Sequence, residues 1–237
     1  MFLAKSLLSL LLTISFTLDL NDKAEEHRQE KIKVACLGDS ITFGARLDNP
    51  SEDSYPAQLQ KMLGDQYQVT NFGVGGSTLL RKGKPNVWSQ LSKVEAFEPD
   101  AIVISLGTND TCGMGTCGNR KCWEYQNEYA SDYADLIDLL QALPSKPQLW
   151  ICAPSPMVLE TPGLSDERIE GLTIRKPRLQ QLIAQVKVLA EDKHVNFIDL
   201  NIPLDHKPEL FTEKDGVHPN KEGYRAIAQL VYDEISE

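Results

Sequence analysis

The chain has 237 residues, 41% hydrophobic and 24% charged, which excludes disordered and fibrous classes and fits one α/β domain or two small ones. Thirty-four acids against 24 bases leave a formal charge of −10. Such a surface repels phosphate backbones, and no block of Lys or Arg overrides it, so nucleic acid is not an expected partner.

Met1–Lys5 precedes an uncharged, leucine-rich stretch running to Leu18. That length is short for a membrane span and matches the apolar region of a signal peptide. Residues 1–20 therefore read as a signal peptide or N-terminal anchor, and residues 21–31 as a polar tether. The expectation is export, to a periplasmic or secreted location, with no stable membrane partner beyond such an anchor.

Past the tether, short apolar runs alternate with amphipathic stretches. Strands are predicted at Ile32–Leu37, Gln68–Phe72, Ala101–Leu106, Gln148–Ala153 and Val195–Leu200. They lack strict alternation, as strands buried on both faces do. Helices are predicted at Tyr55–Leu63, Val87–Ala96, Glu128–Leu143, Ile174–Glu191 and Lys221–Ser236. Ala226, Ile227, Leu230, Val231 and Ile235 recur on one face of the last, a stripe that packs on a sheet. No repeat or linker divides the chain. Regular strand–helix alternation implies an α/β fold, a parallel sheet covered on both sides by helices.

Five cysteines leave an odd count. Cys36 and Cys152 lie in apolar strands and read as buried thiols. Cys112, Cys117 and Cys122 crowd one Gly-rich loop, where a local disulfide, reduced thiols and a soft-metal site compete. In an exported chain the disulfide is favoured. A structural zinc wants four ligands and no histidine falls in this loop, so no metal site is expected.

Two dispersed segments carry chemistry. The first strand runs into Gly38-Asp39-Ser40, delivering a hydroxyl to the carboxyl edge of the sheet, where α/β folds bind ligands. Serine is a poor nucleophile unless a base lies within hydrogen-bond reach and an acid orients that base. Asp215 and His218, three residues apart before Pro219, supply that pair, although a turn ending before the final helix would use the same residues. Acyl transfer also needs donors for the oxyanion. Gly76, in Asn71-Phe-Gly-Val-Gly-Gly76-Ser77, and Asn109, in Gly107-Thr-Asn109-Asp110, both follow predicted strands and so reach the same edge. Asp39, Trp88 and Trp123 are the remaining pocket candidates, the indoles as stacking platforms for sugar rings. Simple packing under a loop is an equal reading for either indole.

Gly38-Asp39-Ser40, Asn71 to Gly76, Gly107 to Asp110 and Asp215-x-x-His218 resemble, in order, the four sequence blocks of the SGNH hydrolases, also called GDSL-type esterases and lipases. The likeness covers nearly all of the chain past the tether, residues 32–237. It implies a three-layer α/β/α sandwich, flavodoxin-like, with about five parallel strands. It further implies Ser40 as nucleophile, His218 as base and Asp215 as orienting acid, with Ser40, Gly76 and Asn109 forming the oxyanion hole and no cofactor. Tyr55-Pro56-Ala57 adds a similarity to exported bacterial carbohydrate O-acetylesterases of the sialate and xylan type. A short-chain esterase acting on acetylated carbohydrate is the expected function. A lysophospholipase or thioesterase of the same family is the alternative, and a non-catalytic carbohydrate- or phosphate-binding module is the alternative of another class.

Overall fold

Five parallel strands form the centre of the computed structural model, which describes residues 30–236. They are β1 (Ile32–Gly38), β2 (Tyr67–Gly73), β3 (Ala101–Ser105), β4 (Gln148–Ala153) and β5 (Asn196–Asp199), ordered β2-β1-β3-β4-β5. β1 is shared: Val34 registers with Val69 on one side and with Ala101 on the other. The order reverses between β1 and β3, the switch point where flavodoxin-like sheets open a crevice at their carboxyl ends. The leader expected in residues 1–20 lies outside the described residues, as does the tether up to residue 29.

Alternation along the strands divides the core into two layers. Ala35 and Leu37 of β1, with Ile102 and Ile104 of β3, pack under α4 (Leu91–Phe97), α5 (Tyr129–Gln141) and α6 (Asp166–Asp192). Val34, Cys36, Val103 and Cys152 face α3 (Tyr55–Leu63) and α7 (Lys221–Ile235) on the other side. Every side chain of β3 is buried, which is why its sequence shows no polar alternation. The stripe on α7 packs where expected, with Ile227 and Val231 fully buried.

The predicted elements recur within a residue or two, with three differences. The stretch from Val87 opens as a 3₁₀ turn, Val87–Gln90, before α4 begins. Two short helices, α1 (Ser40–Phe43) and α2 (Pro50–Asp53), were not anticipated; at four residues each, neither shows a helical period. α6 starts eight residues earlier than expected and spans 27 residues, its first turn capped by the Ser165 hydroxyl, which accepts from the Arg168 N–H. Those added turns are polar and mostly exposed, so hydrophobic periodicity does not mark them. Among the described residues no helix is long and apolar enough to cross a membrane.

Candidate active site

Ser40 opens α1 directly after β1. Asp39 makes that turn by capping the helix, its Oδ1 accepting from the Ile41 N–H at 2.9 Å. Gly38 is required because the chain passes so closely: a Cβ there would stand 2.6 Å from the Ser105 carbonyl oxygen and would also strike Thr42. The Ser40 hydroxyl is thereby held, 9% exposed, at the lip of the crevice.

The second half of the site comes from the loop before α7. Asp215 Oδ1 accepts from the backbone N–H groups of Val217 (3.1 Å) and His218 (2.9 Å), curling the segment back on itself. Gly216 sits in the left-handed region at φ +68°, and a Cβ on it would meet the Val158 carbonyl at 2.8 Å. The curl presents both side chains to one side. His218 Nδ1 lies 3.0 and 3.1 Å from the two Asp215 carboxylate oxygens, and His218 Nε2 lies 2.9 Å from Ser40 Oγ. Residues 178 positions apart thus complete a continuous Ser–His–Asp chain.

Arginines buttress the acid. Arg46 Nε donates to Asp215 Oδ2 at 3.1 Å, and Arg168 donates through Nη2 to Oδ1 at 3.2 Å and through Nε to the Asp215 carbonyl at 2.7 Å. Burial alone would raise the Asp215 carboxyl, but the hydrogen bond and charge of His218, with Arg168 beside it, outweigh burial and hold the group well below the usual carboxylate range. Asp39 shows the opposite balance: burial pushes it up to about 6 against the Ile41 hydrogen bond.

The turns after β2 and β3 complete the rim. Gly76 and Asn109 both line the cavity that holds Ser40 and His218. Asn109 Nδ2 donates to the Ser77 carbonyl at 3.0 Å, and its Oδ1 accepts from Arg120 at 3.0 Å. Arg120 also donates to the Gly76 carbonyl at 2.8 Å, tying the two turns together. Asp110, next to Asn109, is buried and accepts from the Leu79 and Leu80 N–H groups. Among the described residues the backbone N–H groups of Ser40 and Gly76 have no protein acceptor.

The cavity is about 540 Å³, a size that holds a small organic ligand. The Cys-bearing loop forms one wall, as expected: Cys112 and Cys117 are joined in a disulfide and both line it, while Cys122 is a free, buried thiol. The indole candidates are corrected. Trp88 donates to the Leu79 carbonyl at 2.7 Å and lies under the Arg81 guanidinium, 3.5 Å from its ring centroid. Trp123 is 7% exposed within the core beneath the same loop. Neither lines the cavity, because each ring is used locally to pack a loop. Asp39 does not line it either; at 1% exposed it works from behind, as the α1 cap.

Four arginines in the cavity wall, Arg46, Arg120, Arg168 and Arg175, escaped the sequence reading. They come from three separate segments, and on α6 Arg175 stands among Arg168, Lys176 and Arg178 with nothing in the sequence to separate it from a solvated face.

The profile of the GDSL-like Lipase/Acylhydrolase family matches residues 36–226, from the middle of β1 into α7. The chain belongs to that family. The family is one of lipases and acylhydrolases, in agreement with the resemblance seen in the sequence. An acetylxylan esterase from Xylanibacter ruminicola is 30% identical over 223 residues, covering 86% of this chain but only 43% of that longer protein. Solved structures repeat the fold. A carbohydrate acetylesterase from Sinorhizobium meliloti superposes with a TM-score of 0.68 at 21% identity, covering 87% of this chain and 99% of its own. An aryl esterase from M. smegmatis superposes at 0.65 with 18% identity, covering 86% and 98%. At those identities the GDSL-like chain shares their architecture, the α/β/α sandwich expected from its sequence.

Proposed function

We propose that the chain is a serine esterase that removes short acyl groups, acetyl foremost, from O-acylated carbohydrate. The observation that carries this reading is the contact series Ser40–His218–Asp215, at 2.9 and 3.0 Å, on the wall of a cavity rimmed by free N–H groups. Ser40 attacks the ester carbonyl while His218 Nε2 takes its proton; Asp215 holds the imidazole in the tautomer with hydrogen on Nδ1 and stabilises the imidazolium. The oxyanion accepts from the backbone N–H groups of Ser40 and Gly76 and from the second Nδ2 hydrogen of Asn109. His218 then protonates the departing alcohol, and water, activated by the same imidazole, releases the acid from Ser40.

Carbohydrate is favoured as the alcohol by the acetylxylan esterase relative and by the four arginines that line the cavity. Export remains part of the proposal, supported by the Cys112–Cys117 disulfide, a bond that persists in oxidising compartments.

The test is a series of 4-nitrophenyl esters from acetate to decanoate, with release of acetate from acetylated glycans measured in parallel. The expected result is a preference for acetate and loss of the product burst in Ser40→Ala. Preference for decanoate points to a lipid ester instead, and an unchanged rate in Ser40→Ala removes the nucleophile assignment.

A further inference from the structure

The GDSL-like site gathers positive charge in a chain whose net charge is −10. Arg46, Arg120, Arg168 and Arg175 line the cavity around Ser40. Of these, Arg46 and Arg168 are answered by Asp215. Arg175 is not. It is 6% exposed, and its hydrogen bonds go to two neutral oxygens, the Thr111 hydroxyl at 2.9 Å and the Thr108 carbonyl at 2.8 Å. No carboxylate of the described residues lies within ion-pair distance of its guanidinium, and Asp39 acts on it only through space. Buried charges are ordinarily paired, since an unpaired one forfeits its hydration. A buried guanidinium on a cavity wall with no carboxylate in ion-pair reach leaves the partner to be supplied by what enters.

Arg120 extends this surface. Its side chain also lines an adjacent cavity of about 460 Å³, whose walls include Lys82, Lys84, Lys121 and Tyr125. Lys82 stands 4.5 Å from the Tyr125 ring centroid and pairs with Glu128. Lys84 and Lys121 are exposed and join no ion pair among the described residues. Two adjoining basic cavities, one beside the serine and one past Arg120, form a track longer than a single sugar needs.

We propose that the ester cleaved here is borne by an acidic glycan, whose carboxylates are bound first by the arginines around Ser40 and then, further along the chain, by the lysines of the adjoining cavity. Arg175 Nη1 and Arg120 Nε, which donate to no acceptor among the described residues, remain to meet a carboxylate. The proposal rests on the esterase reading for the reaction but not for the binding, so the two are tested apart.

Binding is measured by titration calorimetry with the Ser40→Ala chain, comparing a galacturonate trisaccharide, galacturonate alone and a neutral galactose trisaccharide. The acidic trisaccharide should bind at least about tenfold more tightly than the neutral one at low salt, an advantage that shrinks as salt screens it. Lys84→Glu combined with Lys121→Glu should weaken the trisaccharide more than the monosaccharide; both lysines are exposed, so folding is not at issue. Arg175→Gln should weaken both acids, read alongside a melting curve. Equal affinity for acidic and neutral trisaccharides overturns the proposal, as does tighter binding of inorganic phosphate than of galacturonate. Intact acid binding in a wild-type chain that leaves 4-nitrophenyl acetate uncleaved would sink the esterase reading alone.

Discussion

Arg168 holds Asp215 at two points, its Nε on the backbone carbonyl at 2.7 Å and its Nη2 on the carboxylate at 3.2 Å. One side chain from α6 thus locks the carboxylate that accepts from His218 Nδ1. Arg168→Ala removes both contacts and leaves Asp215 held by Arg46 and its own loop. In the reaction proposed, kcat should fall by about 10- to 100-fold with KM changed far less, because a misplaced acid leaves the imidazole off line. Steady-state kinetics on 4-nitrophenyl acetate decide it; an unchanged kcat contradicts a positioning role for Arg168.

Asn109 is oriented before substrate arrives. Arg120 on its Oδ1 and the Ser77 carbonyl on its Nδ2 fix the amide's orientation and leave one Nδ2 hydrogen, which the proposed mechanism assigns to the oxyanion. The contact to Asp39 Oδ2 at 3.5 Å is too long to compete. Asn109→Ala should therefore lower kcat by about 10²–10³, with KM changed far less, the usual signature of a lost oxyanion donor. Steady-state kinetics on 4-nitrophenyl acetate decide it; a loss confined to KM assigns Asn109 to substrate binding instead.

The sheet was legible because its central strands β1, β3 and β4 are buried almost throughout and read as short apolar runs, and because three strands end in Gly-containing turns; the edge strands β2 and β5 are only partly buried. Ser40, Asp215 and His218 were legible for a different reason: each belongs to a compact local motif, and the parallel topology carries distant motifs to one edge. The basic lining was not. Arg46, Arg120 and Arg175 make no local pattern, and only the return of α6 across the carboxyl edge brings Arg175 beside Thr108 and Thr111. The two indoles failed because aromatic residues in loops serve packing as readily as recognition, a choice made by the Leu79 carbonyl for Trp88 and by the core for Trp123.

The Cys112–Cys117 disulfide closes a short loop that carries part of the cavity wall. Closing so few residues restricts the unfolded chain only modestly, so replacing both cysteines by serine should cost about 2 kcal/mol by loop-closure entropy. The functional effect should be larger than that figure implies. The bridged loop leads to Arg120, whose bonds to Asn109 and Gly76 join two turns of the rim. The double variant should lose activity at temperatures well below its melting transition. Denaturant unfolding and kinetics on the same preparation check both parts; unchanged kcat and KM in a destabilised variant would confine the bridge to stability.

Three buried carboxyls set the dependence of stability on pH, with opposite signs. Burial raises Asp110 to about 7, against two backbone hydrogen bonds, and raises Asp39 to about 6. In the unfolded chain an aspartate releases its proton near about 3.9. Between these values the folded state keeps protons that the unfolded state has lost, so stability falls as pH rises through that window and levels off above pH 7. Asp215, held below the usual range, acts in reverse: its contribution is present above about pH 3.9 and is lost as pH falls further. The melting temperature should thus be highest near about pH 4 to 5, decline toward neutrality and drop in stronger acid. Asp110→Asn removes the largest titration in the upper window. It should flatten the decline between pH 5 and 7 while lowering the melting temperature throughout, because the amide offers one acceptor oxygen where the Leu79 and Leu80 N–H groups need two. An Asp110→Asn chain that keeps the full slope assigns the pH dependence to other groups.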